Sequence, residues 1–207
     1  QGYDVIGIFM KNWEDDDDDE YCSTKQDFID AAAVADVIGI EIEHINFAAD
    51  YKDRVFAEFL REYQAGRTPN PCMRCNERIK FAALLEKGLA LGFDVVCTGH
   101  YASIFEDEQG NLELHRSLEM AKDQSYVLGV LTAEQLKHSL FPLGATASKE
   151  LVRKEAQERG LSVANKPDSY DICFIPEGDT RDWLKEFTSA EPGVIIDQDG
   201  NQVGTHD

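Results

Sequence analysis

Short apolar runs alternate with stretches of helical period over the first hundred residues. That alternation restricts the chain to strand–helix–strand units around a parallel sheet. Residues 5–10 read as a buried strand. Phe28, Ala31, Ala32, Ala35 and Ile38 follow at helical spacing and stop at Gly39, with Ser23 and Gln26 placed as a capping box. Residues 41–47 alternate as a strand does, and residues 48–65 return to helical period, ending at Gly66. Two close prolines in Arg67-Thr68-Pro69-Asn70-Pro71-Cys72 argue against regular structure there. The next helix is therefore expected over 76–91 and a short strand over 94–98.

The second half is more broken. Residues 101–105 and 112–115 predict a hairpin, and so do residues 194–203, turning at Asp199-Gly200. Helices are expected over 124–131, 132–139, 148–160 and 182–187. The 207 residues fit one domain and part of a second, divided as 1–187 and 188–207. The chain opens at Gln1 and runs at once into an apolar stretch, and it stops just after a hairpin. Truncation at both ends is the expectation.

No run is apolar and long enough to span a membrane, and no secretory signal is visible. Five cysteines, Cys22, Cys72, Cys75, Cys97 and Cys173, are an odd set for a disulfide scaffold and fit a reducing cytoplasm. The 40 acidic residues outnumber the 20 basic ones, a net charge of −20, which by itself opposes a polyanionic partner. The charge is uneven, however. Residues 14–20 are all acidic, whereas residues 61–80 carry Arg61, Arg67, Arg74, Arg78 and Lys80.

Four segments can carry chemistry. Cys72-Met73-Arg74-Cys75 admits a metal, redox or sulfur-transfer reading, or two thiols with no role; a zinc site lacks its second pair. Cys173, between Ile172 and Phe174, reads locally as a small buried apolar residue, although Asp168, Ser169 and Asp171 make its neighbourhood polar. Cys97 reads as a buried strand residue. Thr98-Gly99-His100-Tyr101 ends a strand, where open α/β sheets bind ligands; a plain strand-to-turn junction reads equally well. Lys122-Asp123-Gln124 offers a phosphate contact and a base-edge contact, or simply an Asp-capped helix start.

Taken in order, the segments resemble the tRNA-specific 2-thiouridylase family. The matching pieces include Gly7-Ile8-Phe9-Met10-Lys11-Asn12-Trp13, Gly66-Arg67-Thr68-Pro69-Asn70-Pro71, Cys75-Asn76, Thr98-Gly99-His100-Tyr101, Lys122-Asp123-Gln124-Ser125-Tyr126, Leu140-Phe141-Pro142-Leu143-Gly144 and Ile172-Cys173-Phe174-Ile175. The resemblance implies an α/β parallel-sheet domain of the adenine-nucleotide alpha-hydrolase (ATP-pyrophosphatase) type, followed by the start of a small β domain. It implies adenylation of the wobble uridine at C2 by ATP with Mg, then sulfur transfer. Cys173 would carry the persulfide and Cys75 would be its partner thiol, pairing with it as a disulfide. Met10 and Gly99 would contact ATP. Asn70, Pro71 and Cys72 would face the target base, and His100, Lys122, Asp123 and Gln124 would touch tRNA. A sulfur-relay protein or a cysteine desulfurase system would supply the sulfur.

The chain departs from the family pattern in places. The glycine-serine phosphate loop and first strand expected before Tyr3 are absent, as is the C-terminal β-barrel. Cys72 stands where many members have Asp, and Tyr170 where Gln is frequent. Cys72, Cys75 and Cys173 therefore also form a candidate ligand set for an iron–sulfur cluster. A non-enzymatic metal-binding module built on Cys72 and Cys75 is the competing reading.

Overall fold

The computed structural model describes residues 2–14, 23–168, 172, 174–175, 180–188 and 192–206. Cys22, Tyr170 and Cys173 lie outside the described residues. The chain begins with a β–α–β unit. Strand β1 (Ile6–Lys11) passes through α1 (Ser23–Ile38) to β2 (Glu41–Asn46), and the strands pair in parallel from Ile6 opposite Glu41 to Lys11 opposite Asn46. Gly39 closes α1 with a φ of 75°, a conformation that a side chain resists. Gln26 donates from its amide to Asp30 one turn onward.

The next helical stretch changes pitch twice. Helix α2 (Ala48–Tyr51) leads into a π-helical turn (Lys52–Phe56) and then α3 (Ala57–Gln64). Helix α4 (Pro71–Cys75) runs into a second π segment (Asn76–Ala83) and then α5 (Leu84–Ala90). The helix expected from residue 76 thus starts five residues earlier. Pro71 occupies its first turn, where a missing N–H costs nothing, and Asn70 caps it. Phe81, at φ −102° and ψ 16°, kinks the second π segment.

Strand β3 (Val96–Cys97) is shorter than expected and pairs in parallel with β6 (Ser139–Leu140). Between them lie the hairpin β4 (Ala102–Glu106) and β5 (Leu112–Arg116), then α6 (Ser125–Leu128) and α7 (Ala133–Lys137). Thr132 and Gln135 form a reciprocal cap on α7. Helix α8 (Lys149–Glu158) is capped by Ser148, α9 is Thr180–Lys185, and β7 (Gly193–Ile196) pairs with β8 (Gln202–His206). Both hairpins turn on the same chemistry. Asp107 accepts from the backbone of Gln109 and Asn111, and Asp197 does so from Asp199 and Asn201.

The α/β class with parallel pairing is as expected, but the parallel strands form two separate pairs among the described residues. The strand expected to be buried at residues 5–10 is only half-buried for the same reason: one edge of β1 faces a groove, with β3 on the far side. Two clusters fill the interior. The larger joins Trp13, Tyr51, Val55, Phe56, Phe59, Cys75, Ile79 and Phe174; the smaller joins Phe81, Ala102, Val127, Leu128, Leu136 and Phe141.

Candidate active site

The groove between β1 and β3 has a volume of about 700 Å³, within the range usual for small-molecule sites. Met10 comes to it from β1, and Cys97, Thr98, Gly99 and His100 come from the end of β3. Gln124 and Lys80 close it from the side. Both residues expected to contact ATP therefore meet in one cavity, at the carboxyl end of a parallel strand. A methyl group added at Gly99 would only touch Leu143, at 3.7 Å. The packing of the chain itself leaves room for a small side chain there.

His100 sits between the groove and the smaller cluster, against Phe81 and Phe141. Burial, assisted by the charge of Lys80, lowers its pKa to about 4. It is therefore neutral at pH 7, a hydrogen-bonding group rather than a cation, and its Nδ1 lies 2.7 Å from Thr98 Oγ1. Cys97 is the main misreading. It is exposed at the groove wall instead of buried, because nothing among the described residues covers that side of β3. Partial desolvation there nevertheless pushes its thiol pKa up.

The second group of residues lies on α4. The backbone N–H of Met73 donates to Asn70 Oδ1 at 3.1 Å, which fixes the loop entering the helix. Pro71 and Cys75 are buried, and Cys72 is exposed. The two thiols of the pair thus face different surroundings: Cys75 packs with the aromatic cluster and Cys72 meets solvent. A smaller cavity of about 210 Å³ opens beside Asn70 and Pro71, against Phe59 and Glu58.

The arginines that make residues 61–80 basic are matched by carboxylates. Arg67 pairs with Glu62, Arg74 with Glu58 and Glu77, and Arg78 with Glu58 and Glu77, while Arg61 lies 3.7 Å from Glu58. Burial opposes charge on Glu58, but the hydrogen bonds and charges of Arg78 and Arg74 outweigh it and hold its pKa low. The basic stretch is chiefly an internal brace.

Lys122, Asp123 and Gln124 all make intramolecular bonds. Lys122 Nζ reaches Asp168 Oδ2 at 3.3 Å. Asp123 accepts from the Ser117 backbone and the Ser125 hydroxyl. Gln124 and Tyr101 bond reciprocally: the Tyr101 N–H donates to Gln124 Oε1, and the Gln124 N–H to Tyr101 O. Lys149 and Arg153 also converge on Asp168. These two cations were not singled out by sequence, where their helical spacing of four was the available signal.

Cys173 lies outside the described residues, but its neighbours do not. Phe174 is 1% exposed in the cluster that contains Cys75, and Ile172 packs against that cluster. Among the described residues no three His, Cys, Asp or Glu side chains gather as a metal site. No described helix is long and apolar enough to cross a membrane.

Parallel strand pairs with a cavity at a strand's carboxyl end make this an open α/β domain of the class that binds ligands at that end. The family model of the tRNA methyl transferase HUP domain matches residues 1–177, and the chain belongs to that family. The chain is 62% identical over 185 residues to the tRNA-specific 2-thiouridylase MnmA of Clavibacter michiganensis subsp. michiganensis, covering 89% of this chain and 48% of the relative. It is 63% identical over 185 residues to that of Paenarthrobacter aurescens, covering 89% and 49%. The likeness to the Delftia acidovorans protein of the same name is 57% over all 207 residues, 55% of the relative. The chain thus spans about half the length of the curated relatives it matches.

Proposed function

We propose that the protein is a tRNA-uridine 2-sulfurtransferase, in which this chain supplies the thiols and one wall of the nucleotide site. One observation carries the reading. Cys75 and Phe174 share a single buried cluster and Ile172 packs against it, although about a hundred positions separate Cys75 from the residues that flank Cys173. That arrangement supports two remote thiols working together, as disulfide exchange requires.

The reaction follows from the chemistry of the groups. A carbonyl oxygen leaves poorly, so the C2 oxygen of the uridine first attacks the α-phosphorus of ATP and pyrophosphate departs. The terminal sulfur of a persulfide on Cys173 then bonds to C2, and AMP leaves with the oxygen. Cys75 attacks the sulfur of Cys173, the persulfide S–S bond breaks, and a Cys75–Cys173 disulfide remains while the new sulfur stays on the uridine. A thiol reductant and a fresh sulfur donor reset the pair. The groove suits the nucleotide: Met10 and Gly99 line it, and its apolar walls suit an adenine face. The edges of β1 and β3 facing it would accept a further parallel strand carrying a phosphate loop, and Mg bound with the nucleotide would offset the charge of its phosphates. Neutral His100 and the Asn70–Pro71–Cys72 turn would then face the RNA. An iron–sulfur cluster on Cys72, Cys75 and Cys173 is a variant that the opposed exposures of Cys72 and Cys75 do not favour.

The test uses a protein of the relatives' full length. Cys75→Ser and Cys173→Ser should each abolish thiolation of tRNA, read by mass spectrometry of nucleosides, with the circular dichroism spectrum unchanged. Thiolation retained by both variants would overturn the proposal.

A further inference from the structure

The carboxylate of Asp168 gathers three cations. Lys122, at the end of a short 3-10 turn, bonds Oδ2. Lys149 bonds Oδ1 from the first turn of α8, and Arg153, one turn later on the same face, lies 3.7 Å from that oxygen. One carboxylate cannot neutralise three cations. Among the described residues none of the three has a second carboxylate within ion-pair distance. Glu58 also meets three arginines, but there Glu77 shares Arg74 and Arg78. Glu150 feels the charges of Arg153 and Lys122 without an ion pair to either. Among the described residues the Asp168 cluster therefore keeps an excess of positive charge, in a chain whose net charge is −20. All four side chains stay partly open to solvent, between 25% and 37% exposed.

A carboxylate with cations on both oxygens occupies the geometry that the paired oxygens of a phosphodiester would take. We propose that Lys122, Lys149 and Arg153 form a binding site for a backbone phosphate of tRNA, with Asp168 as its placeholder in the free protein. The inference rests on the tRNA reading above and deepens it by naming two contacts, Lys149 and Arg153. The phosphate displaces Asp168, which stands five residues before Cys173. Seating of the RNA is thereby linked to the segment that carries that cysteine.

The variants have opposite signs, and that makes the test sharp. A protein of the relatives' full length is titrated with tRNA over a salt series by fluorescence anisotropy, and separately with Mg-ATP. Lys149→Gln and Arg153→Gln should each weaken tRNA binding, by about tenfold at low salt, and reduce the log–log salt slope by about 0.7 to 0.9. Asp168→Asn removes the competitor and should tighten tRNA binding. Affinity for Mg-ATP should stay constant throughout. Unchanged tRNA binding in both cation variants overturns the site, and so does weakened binding in Asp168→Asn. A change confined to Mg-ATP assigns the phosphate to the nucleotide and overturns the RNA assignment. Absence of salt-dependent tRNA binding in the unaltered full-length protein would instead defeat the parent reading. Should Asp168→Asn fail to fold, the two cation variants decide alone.

Discussion

The cluster around Phe174 and the groove between β1 and β3 are built on opposite plans. Around Phe174, the rings of Trp13, Tyr51, Phe56, Phe59 and Trp183 stand within 6 Å of its own. Those rings come from the loop after β1, the stretch from α2 to α3, and α9, so one side chain ties together segments far apart in sequence. Across the groove, β1 and β3 each have one paired edge and one edge unpaired among the described residues, and half-buried apolar side chains line the space between. The difference teaches where this chain keeps its stability and where it keeps room. The side that holds Cys75 is packed from several directions, whereas the groove side is open.

The largest effect should come from the packed side. Phe174→Ala removes a ring that is 1% exposed. Truncations of this kind cost about 3–5 kcal/mol, the lost transfer energy plus that of the remaining cavity. Urea unfolding followed by tryptophan fluorescence should show a midpoint far below that of the unaltered chain. A loss under about 1 kcal/mol would mean that the cluster is loosely packed, and the contrast with the groove would collapse.

His100 stands at the boundary between the two plans, so it tests whether the groove wall is as dry as the interior. Its pKa is about 4 in the folded chain against about 6.5 unfolded. The unfolded chain therefore binds the extra proton first as the pH falls, and folding weakens between pH 6.5 and 4. From pH 7 to pH 5 this one residue should remove about 2 kcal/mol of stability. His100→Gln should lack that part of the loss, measured as the difference between the two proteins' unfolding free energies at each pH. Equal pH dependence in the two would show that water reaches the imidazole freely.

Much of the packed side was legible in the sequence and much of the groove was not. Helix α1, strand β2 and the turns at Asp107 and Asp197 follow from local rules, a period or a turn residue, that act within a few positions. The β–α–β order also followed. Gly99 carried a local signal, the end of a strand, whereas Met10 was named only through the family resemblance. The π turns were hidden. Residues 52–56 and 76–83 keep an apolar pattern that suits an α-helix, and only tertiary packing decides the pitch. Pro71 misled in the opposite direction, since a proline that breaks a helix interior is welcome in its first turn. The Asp168 cluster was out of reach because Lys122, Lys149 and Asp168 belong to three separate segments.

Cys97 shows the limit of reading burial from neighbours and gives the smallest expected effect. Val96 before it and Thr98 after it make a pattern that belongs in a covered strand, and in a complete sheet both edges of β3 would be paired. Among the described residues only β6 pairs with it, and the thiol stands exposed on the groove wall. Cys97→Ser should change stability by no more than about 0.5 kcal/mol, the range of surface substitutions. Buried at a sheet centre, the same exchange would place an unpartnered hydroxyl in an apolar site and cost about 1–3 kcal/mol. Thermal unfolding of the single variant separates the two cases. A loss in the higher range would mean that something covers β3 in solution, and the open groove would have to be redrawn as part of the core.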